Sequence, residues 1–189
     1  MEKKKIIIGT FVALILIGAA CAGTVYYYLF APQFHPQRTV YIYIDRDDTA
    51  DSIYNKVKQQ GHPRSFTGFR WMAQYKKYSE NIHTGRYAIR PEENVYHVFS
   101  RLYRGYQEPM NLTVGSVRTL DRLARSVGKQ LMIDSAEIAG LMNDSAFQQK
   151  LGYNKETLPC LFIPETYQVY WDMSAEEFFE RMQKEHQKF

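Results

Sequence analysis

The amino-acid sequence predicts an α+β protein with a single N-terminal transmembrane helix. Residues 6–30 contain no charged side chain, which is typical of a membrane-spanning helix. Short runs of β-branched and aromatic residues, such as 39–44 and 85–89, predict strands. Between them, apolar residues recur at helical spacing behind capping residues, and the 45% apolar content is sufficient for a packed core.

The predicted membrane helix is Ile6–Phe30, about 25 residues where about 20 suffice to cross a bilayer. Three tyrosines, Tyr26–Tyr28, stand at its far end, where interfacial aromatic residues are common. Three lysines, Lys3–Lys5, precede the helix, and no Lys or Arg follows it until Arg38. The positive-inside rule therefore predicts that residues 1–5 are cytoplasmic and that the soluble part lies outside.

Two other interpretations of this N-terminal segment remain open. Small residues at 19–22 are compatible with a cleaved signal peptide, although the apolar run continues well past Cys21. Cys21 is also a candidate lipoprotein acceptor, but Gly18 stands where a Leu-like residue is expected three positions earlier. The retained anchor is the favoured interpretation, and a lipid anchor would leave the domain on the same side of the membrane.

Residues 39–107 are predicted to fold as strand, helix, helix, strand and helix after a Pro-containing linker at 31–38. The strands are 39–44 and 85–89, and the first helix ends near Gly61. The second helix is expected to bury an apolar stripe, and the third to carry two arginines outward. The predicted caps are Asp48 or Thr49, Ser65 and Asn94; the stripe is Phe66, Phe69, Met72 and Tyr75; the outward residues are Arg101 and Arg104.

Residues 108–189 are predicted to begin with a strand at 108–114 and continue with helices. Helix caps are expected at Thr119 and Ser135, a short helix at 145–151, and a capping box at 174–177. The last helix has no stop signal, and Phe189 extends its apolar stripe of Phe178 and Met182. We therefore expect the chain to be a piece of a longer protein.

The candidate functional stretch is residues 161–171, where a carboxylate, a hydroxyl and aromatic rings follow Pro164. The run 161–163 is predicted to be a buried strand-like segment that ends at the proline, placing Glu165 at the break. A carboxylate between aromatic walls favours a site for a sugar or peptide ring. The alternative is a core strand ending in a turn, with the rings as packing. The candidate cleft residues are Glu165, Thr166, Tyr167, Tyr170 and Trp171.

Several other functions find no support in the sequence. The net charge of +4 comes partly from Lys3–Lys5, which argues against a nucleic-acid-binding face. The five histidines are scattered, and neither a metal site nor a phosphate loop is predicted, so we expect no cofactor. The two cysteines, Cys21 and Cys160, are not expected to meet, and Cys160 is only weakly supported as a nucleophile. Three aspartates are interpreted as turn or capping residues: Asp134, Asp144 and Asp172.

With these pieces placed, the chain resembles the N-terminal part of the endolytic murein transglycosylases, the YceG-like family. The resemblance rests on three segments in the same order as in that family: His83–Tyr87, Leu112–Gly115 with the following helix, and Phe162–Tyr167. It implies a LysM-like β-α-α-β subdomain at 39–107 and the start of an α+β catalytic domain at 108–189. It also implies a bacterial inner-membrane location.

The resemblance further implies the reaction. A glutamic acid protonates the glycosidic oxygen, and the C6 hydroxyl of the sugar closes onto the anomeric carbon, leaving 1,6-anhydro-muramic acid ends. Such cuts in nascent peptidoglycan strands terminate glycan elongation, and the implied partners are these strands and cell-wall synthases. The family's catalytic glutamate lies in an Ile-x-Glu-Lys-Glu-Thr-like segment, which we expect downstream of Phe189.

Two positions depart from the family pattern: Pro159-Cys160 stands where many members have Glu-Gly, and Glu165 replaces the commoner Asp. No catalytic residue is therefore assigned within the 189 residues, and the chain alone is expected to be inactive. In that assignment Glu165, Thr166 and Tyr167 shape one wall of a cleft. The alternative from another functional class is a non-catalytic, membrane-tethered peptidoglycan-binding or division scaffold module.

Overall fold

The computed structural model describes residues 2–116 and 118–188 and confirms the α+β class. In the described residues it contains two two-stranded sheets, one pairing Val40–Ile44 with Gly85–Ile89 and the other pairing Met110–Val114 with Glu165–Val169. Short 3-10 helices lie at Tyr78–Glu80 and Leu158–Leu161. The helices and strands are α1 (Glu2–Leu29), β1 (Val40–Ile44), α2 (Ala50–Gly61), α3 (Thr67–Tyr75), β2 (Gly85–Ile89), α4 (Val95–Tyr103), β3 (Met110–Val114), α5 (Leu120–Gly128), α6 (Ser135–Asn143), α7 (Ser145–Leu151), β4 (Glu165–Val169) and α8 (Ala175–Lys188).

The chain divides into two compact units. The first comprises Met1–His83 and Tyr87–Tyr106, and the second comprises Thr84–Arg86 and Gln107–Phe189. Each unit has its own apolar core. The division into a LysM-like subdomain at 39–107 and a catalytic part at 108–189 stays a prediction.

The core of the first unit is built from aromatic and branched aliphatic side chains of β1, β2 and the three helices α2, α3 and α4. Thr49 caps α2 as predicted, because its Oγ1 accepts the N–H of Ser52 at 3.3 Å. Asn94 caps α4 in the same way through the N–H of His97 at 2.8 Å. These caps satisfy amide groups that have no carbonyl partner in the first helical turn.

Three predictions for this unit were wrong. Helix α3 begins after Phe66 without a side-chain cap, and Ser65 Oγ accepts only the N–H of Thr67, at 3.3 Å. Tyr75 does not complete the buried stripe, since it is 83% exposed. Arg101 turns inward to pair with Glu93, whereas Arg104 is exposed as predicted.

Helix α1 includes one stretch, Phe11–Leu29, that is long and apolar enough to cross a membrane. The residues predicted as a linker are packed within the first unit: Phe34 and Gln33 are buried, and Phe34 forms an antiparallel bridge with Pro63. Gln33 Nε2 also donates to the carbonyl of Tyr27 at 2.8 Å. The chain leaving α1 is therefore held against the folded unit.

The second unit packs β3 and β4 against helices α5, α6 and α8. Its capping box is confirmed: the N–H of Ser174 donates to Glu177 at 2.8 Å, and the N–H of Glu177 donates to Ser174 Oγ at 3.1 Å. Asp134 caps α6 rather than the predicted Ser135, because its carboxylate accepts the N–H of Ala136 at 3.0 Å. Phe178 and Met182 are buried on α8, whereas Phe189 lies outside the described residues.

Candidate functional site

The candidate stretch does not form the strand that the sequence predicted. Residues Leu158–Leu161 form a 3-10 helix, and β4 begins only at Glu165, after the proline. The expectation that a buried strand at 161–163 breaks at Glu165 was therefore wrong. Residues Glu165–Val169 form the strand instead because they pair with β3. In this antiparallel register Leu112 lies opposite Tyr167 and Val114 opposite Glu165.

The register of β3 and β4 divides their side chains between two faces. Leu112, Val114, Tyr167 and Val169 face the core and are buried. The outer face is polar and exposed, as alternation along two paired strands requires. It carries two cross-strand pairs, Asn111 with Gln168 and Thr113 with Thr166.

Tyr167 is fixed in the core rather than free to act on a ligand. Its hydroxyl donates a hydrogen bond to the carbonyl oxygen of Ile163 at 2.7 Å. Burial raises the pKa of Tyr167, and the negative charges of Glu185 and Glu165 raise it further. The phenol is therefore a neutral hydrogen-bond donor that closes the turn before β4.

Glu165 is exposed at the start of β4, where one of its oxygens accepts the N–H of Thr166 at 2.9 Å. It borders a shallow pocket of about 190 Å³ that Glu185 and Lys188 also line. Hydrogen bonding from Lys188 lowers the pKa of Glu185, with support from Arg181. An exposed carboxylate among other charges lacks the apolar enclosure that normally prepares a general acid.

Thr166 and Tyr170 lie on other surfaces of the same unit, and Trp171 is half-buried just after β4. Thr166 is on the outer face of the sheet, with its Oγ1 3.3 Å from that of Thr113. Tyr170 is exposed and lines a second cleft, while the carbonyl of Trp171 accepts the N–H of Met132 at 3.0 Å. The five predicted cleft residues are therefore distributed over several surfaces, and their role in binding stays a prediction.

The second cleft has a volume of about 680 Å³ and lies between the end of β4 and helix α8. Its charged side chains include Asp172, Glu180, Arg181 and Lys184. Asp172, predicted as a turn residue, also accepts two hydrogen bonds from distant parts of the chain, which no local sequence signal indicates. Thr84 Oγ1 and Gln107 Nε2 donate to its carboxylate at 2.8 and 2.9 Å.

A third pocket brings together two of the segments on which the family resemblance rests. It has a volume of about 240 Å³ and lies between the start of α5 and the turn around Pro164. Its walls combine hydroxyl and guanidinium donors with apolar rings, a composition suited to a single sugar-sized group. The lining residues are Gly115, Ser116, Arg118, Thr119, Leu120, Leu123, Pro159, Phe162 and Pro164. The proximity of the two segments was not predicted, although both had been recognised separately.

No cluster of three metal-ligating side chains occurs in residues 2–116 and 118–188. Both cysteines, Cys21 and Cys160, are exposed free thiols. Among the described residues, the second unit therefore offers hydroxyl, amide and charged side chains, together with the exposed thiol of Cys160, around partly polar pockets.

The α+β fold, the apolar N-terminal helix and these polar pockets define a class of small two-unit proteins carrying one helix long enough to span a membrane. The model of the YceG-like family matches residues 42–189, which is well over half of the chain. The chain belongs to the YceG-like family.

Comparison with solved structures gave a weaker similarity. A crystal structure from Listeria monocytogenes, described as that of a yceG-like protein, matches with 19% sequence identity and a TM-score of 0.39. The match covers 79% of this chain and 55% of that one, so the similarity extends over only about half of the solved protein. No curated protein gives a significant match to the sequence.

Proposed function

We propose that this chain belongs to a membrane-anchored endolytic lytic transglycosylase that cuts nascent peptidoglycan strands. The observation that carries the proposal is the family match over residues 42–189. Helix α1 would hold the protein in the bacterial inner membrane through its apolar stretch Phe11–Leu29, with the N-terminus in the cytoplasm. Glycan strands close to the membrane would be the substrate, and cell-wall synthases the enzymes that supply it.

In the proposed reaction one glutamic acid protonates the glycosidic oxygen as the bond to the anomeric carbon breaks. The C6 hydroxyl of the same sugar then attacks that carbon, and a 1,6-anhydro ring forms. The proton of this hydroxyl passes to the glutamate carboxylate and restores the acid. This internal attack replaces the water of a hydrolase, so one carboxyl group suffices where a hydrolase ordinarily needs two.

The pocket beside Pro164 supports a binding role for the second unit. Arg118, Ser116 and Thr119 offer hydrogen-bond donors, and Phe162 offers a ring face for a sugar. We assign Glu165 a supporting role, because it is exposed and outside this pocket's lining. The acid itself would come from a glutamate outside the 189 residues, as the family resemblance implies.

The test compares the 189-residue chain with the product of the entire reading frame, each incubated with polymerised peptidoglycan glycan. We expect 1,6-anhydro ends, detected by mass spectrometry, only with the longer product. Anhydro products made by the 189-residue chain and lost in Glu165→Gln would overturn the supporting role of Glu165. Glycan binding without any anhydro product from either protein would favour the non-catalytic scaffold instead.

A further inference from the structure

The first unit exposes a group of aromatic side chains beside the end of α1. Trp71 and Tyr75 on α3 are 44% and 83% exposed, and Tyr96 on α4 is 38% exposed. Phe30, directly after α1, is 44% exposed. Large exposed rings in one region of a small unit are unusual enough to indicate an interaction surface.

These rings are continuous with the last turns of α1. The ring of Tyr28 contacts that of Trp71 edge to face, with centroids 5.2 Å apart. The ring of Phe30 lies 5.5 Å from that of Tyr96. Tyr75 follows Trp71 by four residues on α3, so the two side chains lie on the same helical face.

The geometry of α1 relative to this surface is fixed by close packing. A Cβ on Gly68 of α3 would lie 2.1 Å from the carbonyl oxygen of Tyr28, so the two helices approach closely there. The hydrogen bond from Gln33 to the carbonyl of Tyr27 and the burial of Phe34 tie down the following residues. The aromatic group therefore keeps a constant position at the end of the apolar stretch.

The chemistry of this surface suits the interface of a bilayer. Trp and Tyr combine an apolar ring with a polar N–H or O–H, which favours the zone between lipid headgroups and acyl chains. Lys76 lies beside the group, with its Nζ 5.4 Å from the ring centroid of Tyr75, and offers a cation to lipid phosphate. A protein partner would not require the rings to be continuous with a membrane-spanning stretch.

We propose that Trp71, Tyr75 and Tyr96 insert into the lipid interface of the outer leaflet, so that the first unit rests on the membrane surface. The inference depends on the proposed anchoring through α1 but not on the proposed lytic activity. Residues 31–38, predicted as a linker, would then act as a rigid joint between the membrane helix and the first unit.

The two tryptophans of the chain allow a direct test. Trp171→Phe leaves Trp71 as the only tryptophan of the 189-residue chain. This variant is reconstituted into phosphatidylcholine–phosphatidylglycerol vesicles. Nitroxide-labelled lipids then quench its emission from near the headgroup or from the bilayer centre. We expect the shallow label to quench Trp71 about twofold more strongly than the deep label.

A matched control places the fluorophore elsewhere in the same unit. Tyr43→Trp, made together with Trp71→Phe and Trp171→Phe, reports from β1, whereas α1 packs on α3 and α4. We expect little quenching of this probe by either label. Tyr75→Trp in the same background should reproduce the strong shallow quenching of Trp71.

Vesicle flotation separates this inference from the proposed function. A chain that floats with the vesicles while Trp71 and the Tyr75→Trp probe resist the shallow label would overturn the interfacial surface alone. A chain that does not float would overturn both the anchoring and the surface. Loss or retention of lytic activity has no bearing on either result.

Discussion

Arg101 and Glu93 form a two-pronged ion pair inside the first unit. Nη2 of the arginine lies 2.6 Å from Oε1 of the glutamate, and Nη1 lies 3.0 Å from Oε2. Nη1 also donates to the carbonyl of Ala88 at 2.5 Å, and the N–H of Arg90 donates to Glu93 at 2.9 Å. The pair therefore joins α4 to the loop after β2 through parallel, charge-assisted hydrogen bonds.

Substitution of this arginine should strongly destabilise the first unit. Arg101→Met leaves the Glu93 carboxylate without its main partner, and we expect a loss of about 2–4 kcal/mol, because the pair is slightly less buried than the pairs that cost about 3–5 kcal/mol to break. Denaturant unfolding of the full chain in detergent micelles measures the change. Arg104→Met on the exposed end of the same helix is the control and should change stability by less than about 0.5 kcal/mol. Equal effects of the two substitutions would contradict a structural role for the pair.

The same pair should make stability depend on acidity. Burial acts to raise the pKa of Glu93, but hydrogen bonds from Arg101 and the Arg90 amide, with the charges of both arginines, hold it below its ordinary value. Because the folded-state pKa of Glu93 is lowered, this carboxylate stabilises the folded state. Its contribution to the free energy of unfolding is fully present above the unfolded-state pKa of about 4.3 and is lost as the pH falls through the folded-state pKa.

Unfolding free energies of the wild-type chain and Glu93→Gln, measured from neutral pH downward, check this dependence. The difference between them should be constant above about pH 5 and should shrink below about pH 4. Asp48, whose pKa is also lowered against the effect of burial by its hydrogen bonds with Lys56 and Ser52, is present in both proteins and cancels in the difference. A difference that grows on acidification would refute the sign of the Glu93 contribution.

The elements that sequence patterns predicted correctly depend on neighbouring residues. Thr49, Asn94 and Thr119 cap their helices through amides only three positions away, so a local pattern contains all the necessary information. The prediction that Arg101 points outward was wrong because its side chain bonds Glu93 and Ala88, and helical periodicity carries no information about these contacts. Helical periodicity alone assigns a charged residue to solvent.

The candidate site was harder to predict for the same physical reason. Glu165 begins β4 because this segment pairs with β3, about fifty positions earlier in the chain, with Glu165 opposite Val114. No local sequence signal specifies β3 as the partner strand. Pro164 does mark a strand boundary, but it precedes β4 rather than ending a strand at 161–163 as predicted. The hydrogen bonds of Asp172 to Thr84 and Gln107 likewise require knowledge of the tertiary fold.

Two helical glycines should respond to alanine in opposite directions. At Gly68 the added Cβ would lie 2.1 Å from the carbonyl oxygen of Tyr28, so α1 and α3 must separate, and we expect a loss of about 1–3 kcal/mol. At Gly140 in α6 no atom lies within 4 Å, and Gly140→Ala should stabilise by about 0.4–1 kcal/mol through the unfolded chain.

Both substitutions place alanine in a helix, Gly68→Ala in the first unit and Gly140→Ala in the second. Opposite signs of the change in unfolding free energy relative to wild type therefore distinguish the close contact at Gly68 from the general effect of alanine. Measured with Trp171→Phe in the background, the emission of Trp71, whose ring contacts Tyr28, should shift in Gly68→Ala and remain unchanged in Gly140→Ala. Stabilisation of both variants to the same extent would show that α1 does not pack on α3 in solution.

The side-chain amide of Gln130 bonds the free edge of β3 in the way that a neighbouring strand would. Its Oε1 accepts the N–H of Thr113 at 3.0 Å, and its Nε2 donates to the carbonyl of the same residue at 3.0 Å. A further bond from Nε2 to the carbonyl of Ser126, also 3.0 Å, fixes the amide in place. The unpaired edge of β3 is thereby blocked at Thr113, near the end of the strand.

Removal of this amide should loosen β3 without unfolding the unit. Gln130→Ala is expected to cost about 0.5–1.5 kcal/mol and to accelerate hydrogen exchange at the Thr113 amide about tenfold. Gln130→Glu retains the acceptor but sets a carboxylate oxygen against the carbonyls of Thr113 and Ser126, so its effect should be at least as large as that of alanine. Gln149→Ala, an exposed position on α7, is the matched control and should leave Thr113 exchange unchanged. Indistinguishable Thr113 exchange rates in Gln130→Ala and Gln149→Ala would mean that water replaces the side chain at no cost and that the edge is not protected by it.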